Sequence, residues 1–315
     1  MVEITIIVFI CMLLNIVIHE VGHMIGGYIL GYKIVFIRIG SKTLVKEENG
    51  WSVKKFNVPG TAGQCIMEPP SDREFKWRLY FLGGIMGNFV LVIIGLIFIF
   101  LTKSTRLIGI ELAFFALYFI VANGLPLKIG GIVNDGYHIF RMKKEDEKKL
   151  YAQLMIAVKD MKGVCIKDMD EDYFECNEDH PENFFDCYIM MIKALRYIEC
   201  HEYEKAKLLL NRIINSKAIS FYKWNAKSEL LLIEIEENGK DANLELLDKK
   251  TKKYVKKQVY ALSTLLLNYA LLSINNDKKA EKMEQRFLEF SKETIEKGEI
   301  DMYLERYEKI KQKLM

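Results

Sequence analysis

Residues Ile18-His19-Glu20-Val21-Gly22-His23-Met24 carry an H-E-x-x-H motif inside an apolar run that extends from Ile4 to Tyr32. On a helix, positions i and i+4 share one face. Both imidazoles can therefore reach a single zinc ion, while Glu20, one residue on from His19, stands beside the water of that ion. Glu20 is the only formally charged side chain between Ile4 and Tyr32, a stretch long enough to cross hydrocarbon. Ionisable groups are costly at that depth, so the cluster reads as functional. As ordinary buried histidines, His19 and His23 would find few partners in hydrocarbon.

Two further segments qualify as spans: residues 79–102, with no charge, and residues 107–125, with only Glu111. Residues 4–31 complete a set of three. Ile4–Ile18 also resembles the apolar core of a secretory signal, but no basic stretch precedes it and no small-residue cleavage site follows, so a retained span is expected. The first linker holds Lys33, Arg38, Lys42, Lys46, Lys54, Lys55, Arg73, Lys76 and Arg78, against Lys103 and Arg106 in the second. By the positive-inside rule the first linker is cytoplasmic, the N-terminus external and everything after Arg141 cytosolic. His19 and His23 then fall toward the inner end of their span. A Lys- and Ile-rich chain without a transit peptide fits a multi-pass protein of a bacterial inner membrane.

The first linker has structure of its own. Lys33–Ile39 and Trp51–Val58 are rich in β-branched and aromatic residues, and Asn49-Gly50 between them is a hairpin-type turn signal. A small antiparallel sheet against the inner leaflet is expected over about 33–58, followed by a loop, Pro59 to Gln64, whose glycines permit unusual backbone geometry. Its exposed edge either accepts an extended peptide as an added strand or packs on the spans.

After residue 141 the pattern turns to amphipathic helices with short polar breaks. Ala194-Leu195 and Tyr197, followed by Glu202 to Ala206 and Leu208 to Leu210, resemble a tetratricopeptide helix-turn-helix unit, and Asn276 to Ala280 begin a second such helix. A stack of helical hairpins whose Tyr, Leu and Ile stripes form the core is the broader expectation, and such stacks bind peptides or proteins on concave surfaces. The 315 residues have a net charge of +3 with both signs interspersed, which leaves no basic stripe for nucleic acid. The six cysteines form no C-x-x-C pair and read as reduced thiols. Cys165, Cys176 and Cys187, with His180 among them, are spaced too widely for ordinary metal-ligand pairs.

A catalytic zinc site takes three protein ligands and keeps one position for water. The candidates for the third ligand are Glu111, Asp135 and His138. Glu111 opens the third span at the external end, whereas Asp135, in Asn134-Asp135-Gly136, follows that span at the level of His19 and His23. Asp-Gly is also a common turn pair, and Asn88 has an alternative role as a helix-packing residue.

Three motifs together resemble the site-2 protease family of intramembrane zinc metalloproteases: the H-E-V-G-H of the first span, Gly83-Gly84-Ile85-Met86-Gly87-Asn88 of the second, and Asn123-Gly124-Leu125-Pro126 through Asp135-Gly136 after the third. The resemblance covers residues 1–140, which correspond to that family's three-span catalytic core. It implies that His19, His23 and Asp135 hold Zn2+, that Glu20 is the general base, that Asn123 steadies the substrate or the oxyanion, and that Asn88 and Pro126 contribute to substrate binding. One departure is plain: a shorter segment joins the proline to the Asp-Gly in the family pattern. Here Leu127 to Asn134 intervene, including Gly130-Gly131, and the chain has to loop out and return.

The expected fold is mainly α: a polytopic membrane protein with a three-helix metalloprotease core over 1–140, a small membrane-associated β-hairpin or sheet, and a cytosolic tetratricopeptide-like helical domain over 141–315. The expected function is zinc-dependent hydrolysis of a membrane-spanning or membrane-bound peptide near the cytoplasmic face, with the lipid bilayer and a cytosolic peptide or protein as further partners. The alternative is a non-proteolytic membrane receptor or scaffold whose cytosolic helices bind a protein or peptide.

Overall fold

A computed structural model describes residues 2–58, 61–71, 74–129, 132–179, 181 and 184–315. Two compact units divide the chain, one of Met1–Val53 with Val58–Glu147 and one of Lys54–Asn57 with Lys148–Met315. The expectations placed on Pro59, Gly60, Arg73, Gly130, Gly131 and His180 lie outside the described residues.

Three helices dominate the first unit: α1 (Val2–Ile29), α2 (Arg78–Leu101) and α3 (Arg106–Gly124). Each is long and apolar enough to cross a membrane, and the bounds lie within two residues of those expected from hydropathy. Phe9, Ile10, Phe89, Ile97, Phe100, Phe114 and Tyr118 stand exposed on them, as lipid-facing residues would. Hydrocarbon gives apolar helices no reason to associate, so close backbone approach must hold them together. Glycines make that approach possible: a Cβ on Gly22 would strike the Gly83 carbonyl, and one on Gly83 would strike the Gly22 carbonyl. Gly87 meets the Ile18 carbonyl in the same way, and Gly95 and Gly109 bring α2 against α3.

Between α1 and α2 lies a four-stranded sheet of β1 (Lys33–Ile39), β2 (Lys42–Glu47), β3 (Gly50–Lys55) and β4 (Gly63–Glu68), in the order β3-β2-β1-β4. It is larger than the expected sheet. The hairpin signal at Asn49-Gly50 joins β2 to β3, whereas the two stretches read as strands are β1 and β3, separated by β2. That middle strand was hidden because Lys42, Leu44 and Lys46 face out and only Thr43 and Val45 are buried. The expected loop also ends early, since Gly63 and Gln64 open β4, which pairs antiparallel with β1 through Gly63↔Ile39 and Gln64↔Arg38.

The segment after α3 returns on itself. Two short strands, β5 (Lys128–Ile129) and β6 (Ile132–Val133), pair antiparallel, and helix α4 (Asp135–Phe140) follows. Asn134 closes the excursion at its base. Its Oδ1 accepts from the Leu127 and Tyr137 amides, at 3.1 and 3.0 Å, and its Nδ2 donates to the Ala122 and Leu125 carbonyls. A Cβ on Gly136 would collide with the carbonyls of Gly124 and Leu125. The longer spacing between Pro126 and Asp135 is thus taken up by a hairpin, and the Asp-Gly pair still seats against the end of α3.

Apart from Lys54 and Lys55 at the end of β3, the regular structure of the second unit is helical: most of α5 (Lys144–Met161), then α6 (Phe184–Glu199), α7 (Tyr203–Asn215), α8 (Ser220–Asn238), α9 (Lys249–Lys257), α10 (Leu262–Ile274), α11 (Ala280–Glu293) and α12 (Ile300–Leu314), with short 3-10 turns. The division between the units falls after Glu147, within α5. From α6 to α11 successive helices pack as neighbours, α12 packs on α10, and α8 touches α6, α7, α9, α10 and α12. Leu209, Leu210, Ile213, Leu231, Ile233, Leu266 and Tyr303 form part of one core. The buried Arg306 guanidinium is held by Glu229, at 2.5 Å, and by Glu236.

Candidate metal centre

Helix periodicity puts His19 and His23 on one face of α1, and both are 6 % exposed. Their Nε2 atoms lie 3.1 Å apart. Asp135, at the first position of α4, brings Oδ2 to 3.0 Å from His19 Nε2 and 3.4 Å from His23 Nε2. A tetrahedral zinc ion with bonds of about 2.1 Å sets its ligands about 3.4 Å apart, close to all three edges of this triangle. Among the described residues, His19, His23 and Asp135 are the group with the donor atoms and proximity to hold a metal ion.

The far side of each ring decides what the near side can do. His19 Nδ1 meets Asn88 Oδ1 at 2.8 Å, and His23 Nδ1 meets the Tyr80 carbonyl at 2.9 Å. A carbonyl only accepts, so His23 Nδ1 carries the proton, and the amide oxygen of Asn88 asks the same of His19. Both Nε2 atoms then present lone pairs to each other and to Asp135 Oδ2, which has no hydrogen-bond donor of its own. Three acceptors facing one another within 3.4 Å form a donor set of the kind that holds a metal ion.

Glu20 is 6 % exposed, and its carboxylate lies in the field of His19, His23, Asp135 and Arg38. Gly63 of β4 stands directly against it: a Cβ there would meet the Glu20 carboxylate. Arg38, one of the positive charges counted in the linker, is fully buried. Its guanidinium donates to the carbonyls of Gly40 and Gly63 and to Thr61 Oγ1. Burial lowers its pKa, opposed by the Glu20 carboxylate. Arg38 therefore anchors the strand end that borders Glu20.

The remaining expected residues are spread around this centre. Asn88 backs His19 instead of facing open space, and it is fully buried. Asn123 donates Nδ2 to the Phe119 carbonyl of its own helix. Phe119 lies 6.4 Å from the His19 ring, centroid to centroid, and Asn123 follows one turn later on the same face. Pro126 follows the extended Leu125 at the end of α3. His138 stacks on Phe81 at 4.0 Å, outside the cluster of donors, and burial pushes its imidazole down to about 4. Glu111 lies near Cys11, two turns before His19.

Reading the sequence gave no site role to Asn15, Tyr80, Gly63 or Gly84, although Gly84 belongs to the glycine motif of the second span and Gly63 to the loop before β4. A Cβ on Gly84 would lie 2.6 to 2.7 Å from atoms of the His19 and His23 rings. Asn15 carried a legible signal, being an amide one turn before His19 in an apolar span. Tyr80 acts through its backbone carbonyl, which no side-chain pattern reveals. The chain matches no protein-family model, no curated protein and no solved structure.

Proposed function

We propose that this chain is an intramembrane zinc endopeptidase of the site-2 protease type, which hydrolyses a membrane-spanning or membrane-bound peptide near the cytoplasmic face of a bacterial inner membrane. The carrying observation is the convergence of His19 Nε2, His23 Nε2 and Asp135 Oδ2, lone pairs inward, beside the buried carboxylate of Glu20. That donor set, inside helices apolar enough to span a membrane, has a direct use in metal-assisted hydrolysis.

His19, His23 and Asp135 would hold the ion, which when bound supplies Lewis acidity, polarising the scissile carbonyl and acidifying the attacking water. Glu20 would accept a proton from an attacking water and return it to the leaving amine. Asn123 spends one amide hydrogen on Phe119, which orients the group, and offers the second to the developing oxyanion, an interaction worth a few kcal/mol in a dry site. A helical substrate shields its own carbonyls and has to be unwound. The edge strand β4, whose first residue borders Glu20, is where an extended segment would add itself to the sheet. In this reading the helical unit recruits substrate or gates the site by binding a cytosolic peptide or protein, a role that rests on fold analogy.

The test compares membrane proteins in cells carrying wild-type chain or Glu20→Gln, alongside metal analysis of the purified proteins. Accumulation of uncut substrate in the variant, with about one zinc per chain in both, is the expected result. A wild-type protein without zinc and indifferent to chelators, with no change in the variant, would sink the proposal and favour a scaffold.

A further inference from the structure

Behind His19 lies a chain of amides whose polarity is fixed at its far end. Asn15 Nδ2 faces two backbone carbonyls, Cys11 O at 2.9 Å and Leu112 O at 3.4 Å. Carbonyls only accept, so the NH2 of Asn15 must point at them and its Oδ1 must point away. Oδ1 lies 3.1 Å from Asn88 Nδ2, which also reaches the Asn15 carbonyl at 3.0 Å. With its NH2 committed there, Asn88 can turn only Oδ1 toward His19, 2.8 Å from Nδ1. Flipping either amide would set oxygen against oxygen. Asn15 and Asn88 are both fully buried, so water offers no substitute partner.

We infer that Asn15 is a positioning residue for the metal centre: through Asn88 it sets His19 in the tautomer that carries its proton on Nδ1 and leaves the Nε2 lone pair for the ion. The relay joins three spans, since Asn15 lies on α1, Asn88 on α2 and Leu112 on α3. The carbonyl of Asn15 belongs to the ladder of its own helix, so its side-chain oxygen is the acceptor dedicated to Asn88. Outer partners of metal-bound histidines fix ring orientation and basicity, and their loss typically costs about 10- to 100-fold in affinity.

This inference rests on the metal reading above, and the experiment separates the two. Full-length protein in detergent is titrated with zinc against a competing chelator, and with Co2+ to record its ligand-field spectrum, for wild type, Asn15→Leu, Asn88→Leu and the double variant. Leucine suits an apolar span; Asn15→Ala reads the same relay if helical content shows that Leu is not accommodated. The expected dissociation constants rise about tenfold for N15L and about 100-fold for N88L. The double variant should be no weaker than N88L, because Asn15 acts through Asn88, and the Co2+ spectrum should shift in N15L. No metal binding by wild type would end the metal reading itself. Tight wild-type binding with an unaltered constant and spectrum in N15L, or losses that add in full, would overturn the relay alone.

Discussion

Asp135 Oδ2 stands 3.0 Å from His19 Nε2, joining the first residue of α4 to the middle of α1. Two structural devices make that distance possible: the hairpin that absorbs the extra residues after Pro126, and the Gly124–Gly136 backbone contact that seats α4.

Because Asp135 closes the triangle, Asp135→Ala should take zinc from about one per chain to near none. Activity should fall by more than the roughly 100-fold expected for an outer partner. Elemental analysis and a cleavage assay read the two effects, and full zinc retention would contradict a ligand role.

In the proposed reading Glu20 is a base and not a ligand. Glu20→Gln should cost about 10²- to 10⁴-fold in turnover while zinc content and thermal unfolding stay as in wild type. Equal loss of metal would make Glu20 a structural residue instead of a base.

Gly63 tests the positioning of that base. In Gly63→Ala the new methyl meets the Glu20 carboxylate, the flexible partner, which must swing aside. A misplacement of about 1 Å can cost up to about 100-fold, so kcat should drop with KM and zinc content little changed. Unaltered kcat would show that Glu20 has freedom the packing denies.

Helix packing has a paired test. A Cβ at Gly83 faces the Gly22 backbone, which cannot yield, whereas the nearest atom to a Cβ at Gly124 is 3.8 Å away. Gly83→Ala should destabilise the first unit by about 1–3 kcal/mol and loosen the zinc site, and Gly124→Ala should be tolerated. Thermal unfolding of both variants in detergent decides it.

The helical unit should respond to pH. Burial pushes the Glu296 carboxyl up to about 7, and burial together with Glu296 and Asp160 raises Glu299. The folded state then binds more protons than the unfolded one above the ordinary carboxylate range. Stability is full below that range and lost as pH rises through about 7. The unfolding midpoint followed by Trp224 fluorescence, with Trp51 and Trp77 replaced by Phe, should be roughly 5 °C higher at about pH 5 than at about pH 8. Glu296→Gln should flatten that slope, and a midpoint rising with pH would reverse the assignment.

What the sequence by itself determined are the features written in local periodicity. Apolar runs of span length, each with at most one charged residue, gave the three long helices, and the spacing of His19 and His23 gave their common face, because hydropathy and the helical repeat act on near neighbours. Richness in β-branched and aromatic residues gave β1 and β3 but not β2, where lysines and a glutamate flank Thr43, Leu44 and Val45, and it could not assign pairing, which depends on strands distant in the chain. The resemblance named Asp135, but only the tertiary structure gave its distance to the histidines, the turn of the Asn88 oxygen to His19 with its amide on Asn15, and the burial of Arg38 beside Gly63. Those relations join residues on separate elements, and distances between separate elements are fixed by backbone packing at glycines and by the polarity of buried amides, neither of which has a period to be read along a chain.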